Sequence, residues 1–196
     1  NLYYDVNHAD AWPQIALGVN AGDTSKWWNI SSSIVASTDV RVKVTGLDLA
    51  NDVITESFTV NGKLALSAMT GPYFLGDEIN VNWTPSGNVG NVTVKYSYDG
   101  VDGHFATITT TAPYDATYKL RLDTVNGINL ASAGAKVRVF ATNNLTDPDD
   151  PACTSNSFIV KPYFKITSPQ TAGGDDVWMA GDTQKTIYWD YKGVNV

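Results

Sequence analysis

The chain has 196 residues, 43% of them hydrophobic and only 17% charged, with a formal net charge of −7. That supplies a packed core but excludes the basic patches that nucleic acid or anionic lipid would need. The single cysteine, Cys153, excludes an internal disulfide, and no apolar run is long enough to span a membrane.

Taken in chain order, the apolar residues recur with period two, and no stretch combines a spacing of three to four with helix caps. Val40, Val42 and Val44 alternate with Arg41 and Lys43. Val92, Val94, Tyr96 and Tyr98 alternate with Thr93, Lys95 and Ser97, and Val137 and Val139 flank Arg138. Gly, Asn, Asp and Pro clusters separate these runs, so the fold class is all-β. Seven strands are expected near 63–69, 79–84, 91–98, 104–109, 117–122, 135–141 and 156–161.

The runs also repeat. "VRVKVT" (40–45) matches "VRVFAT" (137–142), and "TESFTV" (55–60) matches "SNSFIV" (155–160), which sets Phe58 opposite Phe158. "LGDEINVNW" (75–83) resembles "AGDTQKTIYW" (180–189), which sets Trp83 opposite Trp189. In one copy the features run in order. The other copy is split, with its opening at the C-terminus and its remainder at the N-terminus. Joining 196 to 1 restores the order. Val194, Val196, Leu2, Tyr4 and Val6 then alternate without a break, and Tyr4 aligns with Tyr96. Each copy spans roughly the 100 residues of an immunoglobulin-like sandwich. The expected organisation is therefore two such domains in tandem. Residues 63–163 form a complete one. Residues 1–62 are the C-terminal part of a second, and 164–196 are the N-terminal strands of the next.

The stretch "FKITSPQTAGGDDVWMAGDTQKTIYWDYKGVNV" resembles the opening of Ig-like (fibronectin-III-like) repeats in large prokaryotic cell-surface proteins. It is similar, too, to the Ig-like module of the Ser/Thr-rich yeast cell-wall family. Ile166, Ser168, Pro169, Trp178, Gly181, Ile187 and Trp189 carry the likeness. "YSYDGVDGHF" and "TDPDDPACTSNSFIV" look like that family's Asp-Gly strand end and its Asp-rich loop before the last strand. The complete copy departs from it, because "LALSAMTG" lacks the Ser-Pro. The resemblance implies adhesive, stalk or filament roles and no conserved chemistry.

Three routes complete the split domain. The chain can close on itself, subunits can exchange strands head to tail, or the polypeptide can continue into another repeat. A sandwich places its ends at opposite poles, strands of ~6 residues at ~3.3 Å each apart, which disfavours self-closure. The other two routes give one object, a non-closing head-to-tail array. The assembly residues would be Val194, Val196, Asn1, Leu2, Tyr4 and Val6.

Catalytic signatures are missing. No nucleophile elbow, phosphate loop or Cys/His metal spacing occurs, so the chain is not expected to be an enzyme. His8 and His104 read as solvated loop residues. Asp99, Asp102, Asp147, Asp149 and Asp150, with Asp175 and Asp176, are weak calcium candidates or ordinary turn residues. Otherwise no cofactor is expected. Asn144, Asn29 and Asn91 head glycosylation sequons, Asn144 being the best placed. Trp83 and Trp189 read as core residues. Trp27 and Trp28 would face opposite ways in a strand, and with Trp12 could meet glycans, the next domain or a neighbouring filament. Cys153 is either a buried thiol or a link between protomers. Low lysine and abundant Thr, Asn, Gly, Tyr and Trp suggest the cell surface or exterior. The expected function is structural, an extracellular filament or stalk of head-to-tail Ig-like repeats that partners itself. The alternative is an adhesin or carbohydrate-binding surface protein.

Overall fold

A computed structural model describes residues 1–20, 22–46, 52–115, 117–122, 131–169 and 178–192. The strands are, in chain order, β1 (Leu2–Val6), β2 (Gln14–Ala16), β3 (Ser37–Val44), β4 (Val53–Ile54), β5 (Phe58–Val60), β6 (Lys63–Leu66), β7 (Tyr73–Phe74) and β8 (Glu78–Val81). There follow β9 (Trp83–Ser86), β10 (Asn91–Ser97), β11 (Ala106–Pro113), β12 (Tyr118–Arg121), β13 (Ser132–Ala141), β14 (Phe158–Lys161), β15 (Tyr163–Ser168) and β16 (Tyr188–Lys192). The protein is all-β. Among the described residues the one helical element is a 3-10 turn, Pro151–Cys153.

Alternation decides where the core lies. Val92, Val94 and Tyr96 on β10 and Val137 and Val139 on β13 are fully buried, because every second side chain of a strand points to one face. That face belongs to the sheet β11-β10-β13-β14-β7. The pairs β6-β9 and β8-β12 cover it with Leu64, Ile79, Val81, Trp83 and Leu120. Each of the seven expected strands has a counterpart here, although the second is interrupted at Asn82 and the fourth runs on to Pro113.

Residues 1–60 build a second sheet, β2-β1-β3-β4, in which β5 also pairs with β3. Its strands β2, β1, β3 and β5 repeat β11, β10, β13 and β14 of the first sheet, while β4 and β7 have no counterparts. Leu2, Tyr4 and Val6 face Val44, Val42 and Val40, just as Val92, Val94 and Tyr96 face Ala141, Val139 and Val137. A register shift follows Leu2 in the β1–β2 ladder and Val92 in the β10–β11 ladder, with Ala16 and Ala112 as the opposing residues. This pairing corrects one expectation. Val6, not Tyr4, stands at the place of Tyr96, and Tyr4 stands at Val94. A slip of two residues keeps every side chain on its own face, so the period-two pattern could not reveal it. The apolar core cluster of this sheet is small among the described residues, Ile34, Val40 and Val60, backed by Tyr4, Val6 and Trp28.

The two sheets are joined by backbone. Gly87 and Asn88 donate to Ser32 and Ile34 at 2.7 and 3.1 Å, Ala36 donates to Asn88 at 3.0 Å, and Gly62 donates to Leu145 at 2.9 Å. Gly62 sits at the crossing because nothing larger fits. A Cβ there would lie 2.2 Å from Val89 Cγ1 and 3.1 Å from the Ser86 carbonyl oxygen. Valine is stiff at χ1, so the backbone would have to yield. Gly62→Ala is expected to cost about 1–3 kcal/mol by overpacking, read as a lowered urea midpoint.

Candidate self-association site

The C-terminal hairpin β15–β16 has the register of β6–β9. Tyr163 and Ile166 face Lys192 and Trp189, as Lys63 and Leu66 face Ser86 and Trp83. Phe164, Ile166, Trp189 and Tyr191 thus hold the places of Leu64, Leu66, Trp83 and Pro85. Their surroundings differ completely. Trp83 is 8% exposed and its indole N–H donates to the Tyr114 carbonyl, whereas Trp189 is 56% exposed. Phe164, Ile166 and Tyr191 are exposed with it, Phe164 and Tyr191 stack on each other 6.4 Å apart, and Trp189 and Tyr191 border an open cleft of ≈ 630 Å³ with Leu75, Gly76 and Asp77. The expectation that Trp189 is a core residue therefore fails within this chain. Its strand has the right pattern, but the layer it should cover is not beside it. The hairpin does not close over residues 1–60, since every residue of β16 is exposed.

The N-terminal sheet has the complementary deficit. Among the described residues its inner face has no second layer of paired strands like the one that β6–β9 and β8–β12 give the sheet β11-β10-β13-β14-β7, the complete unit of residues 63–161. The stretch 22–30 lies between β2 and β3, where the complete unit carries β12, and contains no strand. Residues 184–187, at the place of β8, contain none either. In the complete unit β8 and β12 pair with each other, so each of these stretches lacks the partner that would make it a strand. This also corrects the reading of Trp27 and Trp28. They lie in irregular chain, Trp27 96% exposed and Trp28 with its ring 5.1 Å from Tyr4. Beside Trp28 a cleft of ≈ 320 Å³ opens between Tyr4, Ile15, Asn29 and Ile34. Of the predicted assembly residues, Asn1, Leu2, Tyr4 and Val6 lie on or beside β1. Val194 and Val196 lie outside the described residues, as do Asp175 and Asp176.

The other predicted side chains are occupied locally. Asp99 binds His104 Nδ1 at 2.7 Å, and Asp102 binds Arg138 Nη2 at 2.6 Å. Asp147 accepts from the Asp149 N–H, and Asp150 from the Ala152 N–H. Among the described residues no three acidic, His or Cys side chains converge on one point. These carboxylates close turns. His8 is also paired, with Asp39 at 3.2 Å. Trp12 lies under Arg41 and Lys43 of its own chain, with the Lys43 ammonium 4.4 Å from its ring centre. Cys153 is buried and its thiol faces the Leu64 carbonyl, and burial pushes the thiol pKa up. It cannot link protomers. Asn144, Asn91 and Asn29 are all exposed, but Thr146 and Thr93 of the first two sequons are buried, while Ser31 is exposed.

Asp99 gives a pH-dependent contact. Desolvation pushes its carboxyl up, but hydrogen bonds from His104, the Val101 N–H and the Ser97 hydroxyl outweigh this and hold it at about 2, against 3.8 ordinarily. A carboxylate lowered by folding adds stability above its unfolded value, and the contribution is lost as pH falls through the folded value. The loop contact is thus expected to be whole above pH 3.8 and to weaken from there towards about 2. An Asp99 side-chain carboxyl resonance titrating with a midpoint near 3.8 in the folded protein would contradict it.

Compared with family models, curated proteins and solved structures, the chain matches none.

Proposed function

We propose that this chain is one repeat of an extracellular filament or stalk built from head-to-tail Ig-like sandwiches. In this reading, hairpin β15–β16 of one copy completes the open sheet of the next. One observation carries it: at the same register places Leu64 and Trp83 of β6–β9 are buried on a matching sheet, whereas Phe164 and Trp189 of β15–β16 are exposed. Burying Phe164, Ile166 and Trp189 contributes about 1.5–3 kcal/mol for each side chain, and the sheet that fits them stands open.

The registers agree from both sides. Lys192 holds the place of Ser86 and Leu2 that of Val92, and the number of residues from Lys192 of one copy to Leu2 of a following copy equals that from Ser86 to Val92. This fits a polypeptide that runs from copy to copy. Separate subunits donating the hairpin would make the same contacts. Either arrangement is a heterologous contact that does not close, which yields a filament. The hairpin's Tyr163, Trp189 and Tyr191 also line a cleft with Asp77, Lys165, Asp190 and Lys192, the kind of surface an adhesin or carbohydrate-binding protein would use; the filament is preferred on the register shared by the two strand pairs.

Small-angle scattering of one, two and three joined copies tests the reading. The longest dimension should grow linearly with copy number, and compaction into a globule would refute it. Brief protease treatment of intact cells tests the location. Fragments of the chain should be released, and failure to release them would count against a surface protein.

A further inference from the structure

The complete unit shows what holds its hairpin in place. Trp83 enters the core from β9, and its indole N–H reaches the Tyr114 carbonyl just past the end of β11. In the N-terminal sheet β2 stands for β11, with Ala16 at the place of Ala112 and the same register shift behind it. Counting on from Ala16, the place of Tyr114 falls on Gly18. The Asn1 side chain anchors Gly18 by accepting its N–H at 3.2 Å. Gly18 takes φ +59°, and a Cβ added there would meet nothing within 4 Å, so the space beside it is open. Among the described residues no donor reaches its carbonyl. The Tyr4–Ile15–Trp28–Ile34 cleft lies on the same strands, β1 and β2.

Resting on the proposed head-to-tail reading, we infer that Trp189 is the anchor of the junction. The indole of one copy fills the cleft between β2 and Trp28 of the next copy and donates its N–H to the Gly18 carbonyl. The ligand of this cleft is therefore a second copy of the same sequence, presented through β16. Trp189 suits the task because it is already held in strand register by Ile166 while it stays 56% exposed, at the edge of an open cleft that it shares with Leu75, Gly76 and Asp77. Docking then orders the partner segment without rebuilding the donor.

The test uses two full copies joined from residue 196 to residue 1, with substitutions in the first copy only. Amide exchange of β1 and β3 in the second copy should be strongly protected, and the Trp189 indole N–H, assigned by its loss in Trp189→Phe, should exchange as slowly as that of Trp83. Trp189→Ala should lower the β1 and β3 protection by about a hundredfold or more, the scale of a core Trp deletion. Trp189→Phe, which keeps a ring but no donor, should fall between. Protection that appears in the joined copies and survives Trp189→Ala overturns the anchor and leaves hairpin completion standing. No gain of protection on joining overturns both.

Discussion

Trp83→Ala is expected to destabilise the complete unit by about 3–5 kcal/mol, while Trp189→Ala in a single copy shifts stability by no more than about 0.5 kcal/mol. The two residues share a strand position, a cross-strand partner and a repeat motif, so local sequence cannot separate them. Burial does. Removing Trp83 leaves a cavity among Leu64, Val94 and their neighbours and orphans the Tyr114 carbonyl. Removing Trp189 takes away a side chain that is 56% exposed and borders an open cleft with Leu75, Gly76 and Asp77. Chemical denaturation of the two variants checks the contrast. Equal losses would show that the hairpin is docked within its own chain, and the proposed assembly would have no open partner.

The strands were legible because alternation and the repeated VRV and SF motifs fix both the element and its face. The complete unit could be drawn from them nearly strand by strand. The limits are physical. Register in steps of two escaped the pattern, which is why Tyr4 was set opposite Tyr96 instead of Val94. The gap between a strand's propensity and its environment escaped it also. Trp189 carries every mark of a core residue, yet it is 56% exposed in this chain. Residues 26–30 show the converse. Lys26, Trp27, Trp28, Asn29 and Ile30 occupy the stretch equivalent to β12 but form no strand, since a strand requires a partner's backbone as well as its own preference. The Asp-rich loops looked like ligand sites by composition. Only the structure shows Asp99, Asp102 and Asp150 already committed to His104, Arg138 and Ala152.

Arg41→Ala is expected to open the N-terminal sheet while leaving the complete unit intact. Asp5 is 0% exposed, and among the described residues its cationic partner is Arg41 Nη2 at 2.6 Å. Among the described residues Asp5 Oδ1 and Arg41 Nε meet no hydrogen-bond partner, so the pair is already under-satisfied. Removing the guanidinium leaves a buried carboxylate uncompensated, a loss of about 3–5 kcal/mol in comparable pairs. It also removes one of the two cations over Trp12. Replacing both partners by apolar residues, Asp5→Val with Arg41→Met, should recover most of the loss, because the desolvation cost goes with the charge. Native-state amide exchange is the proper measurement, since it resolves β3 from β13. Protection of β3 should collapse in Arg41→Ala, return in the double variant, and remain unchanged in β13 throughout. Uniform loss across both sheets would mean that the Gly62 and Asn88 contacts couple them into one cooperative unit. The observed drop is limited by the free energy that opens the sheet on its own, and a core of Ile34, Val40 and Val60 sets that limit low. Joining a second copy should raise the limit, so the same substitution should read as a larger loss once a hairpin covers the sheet.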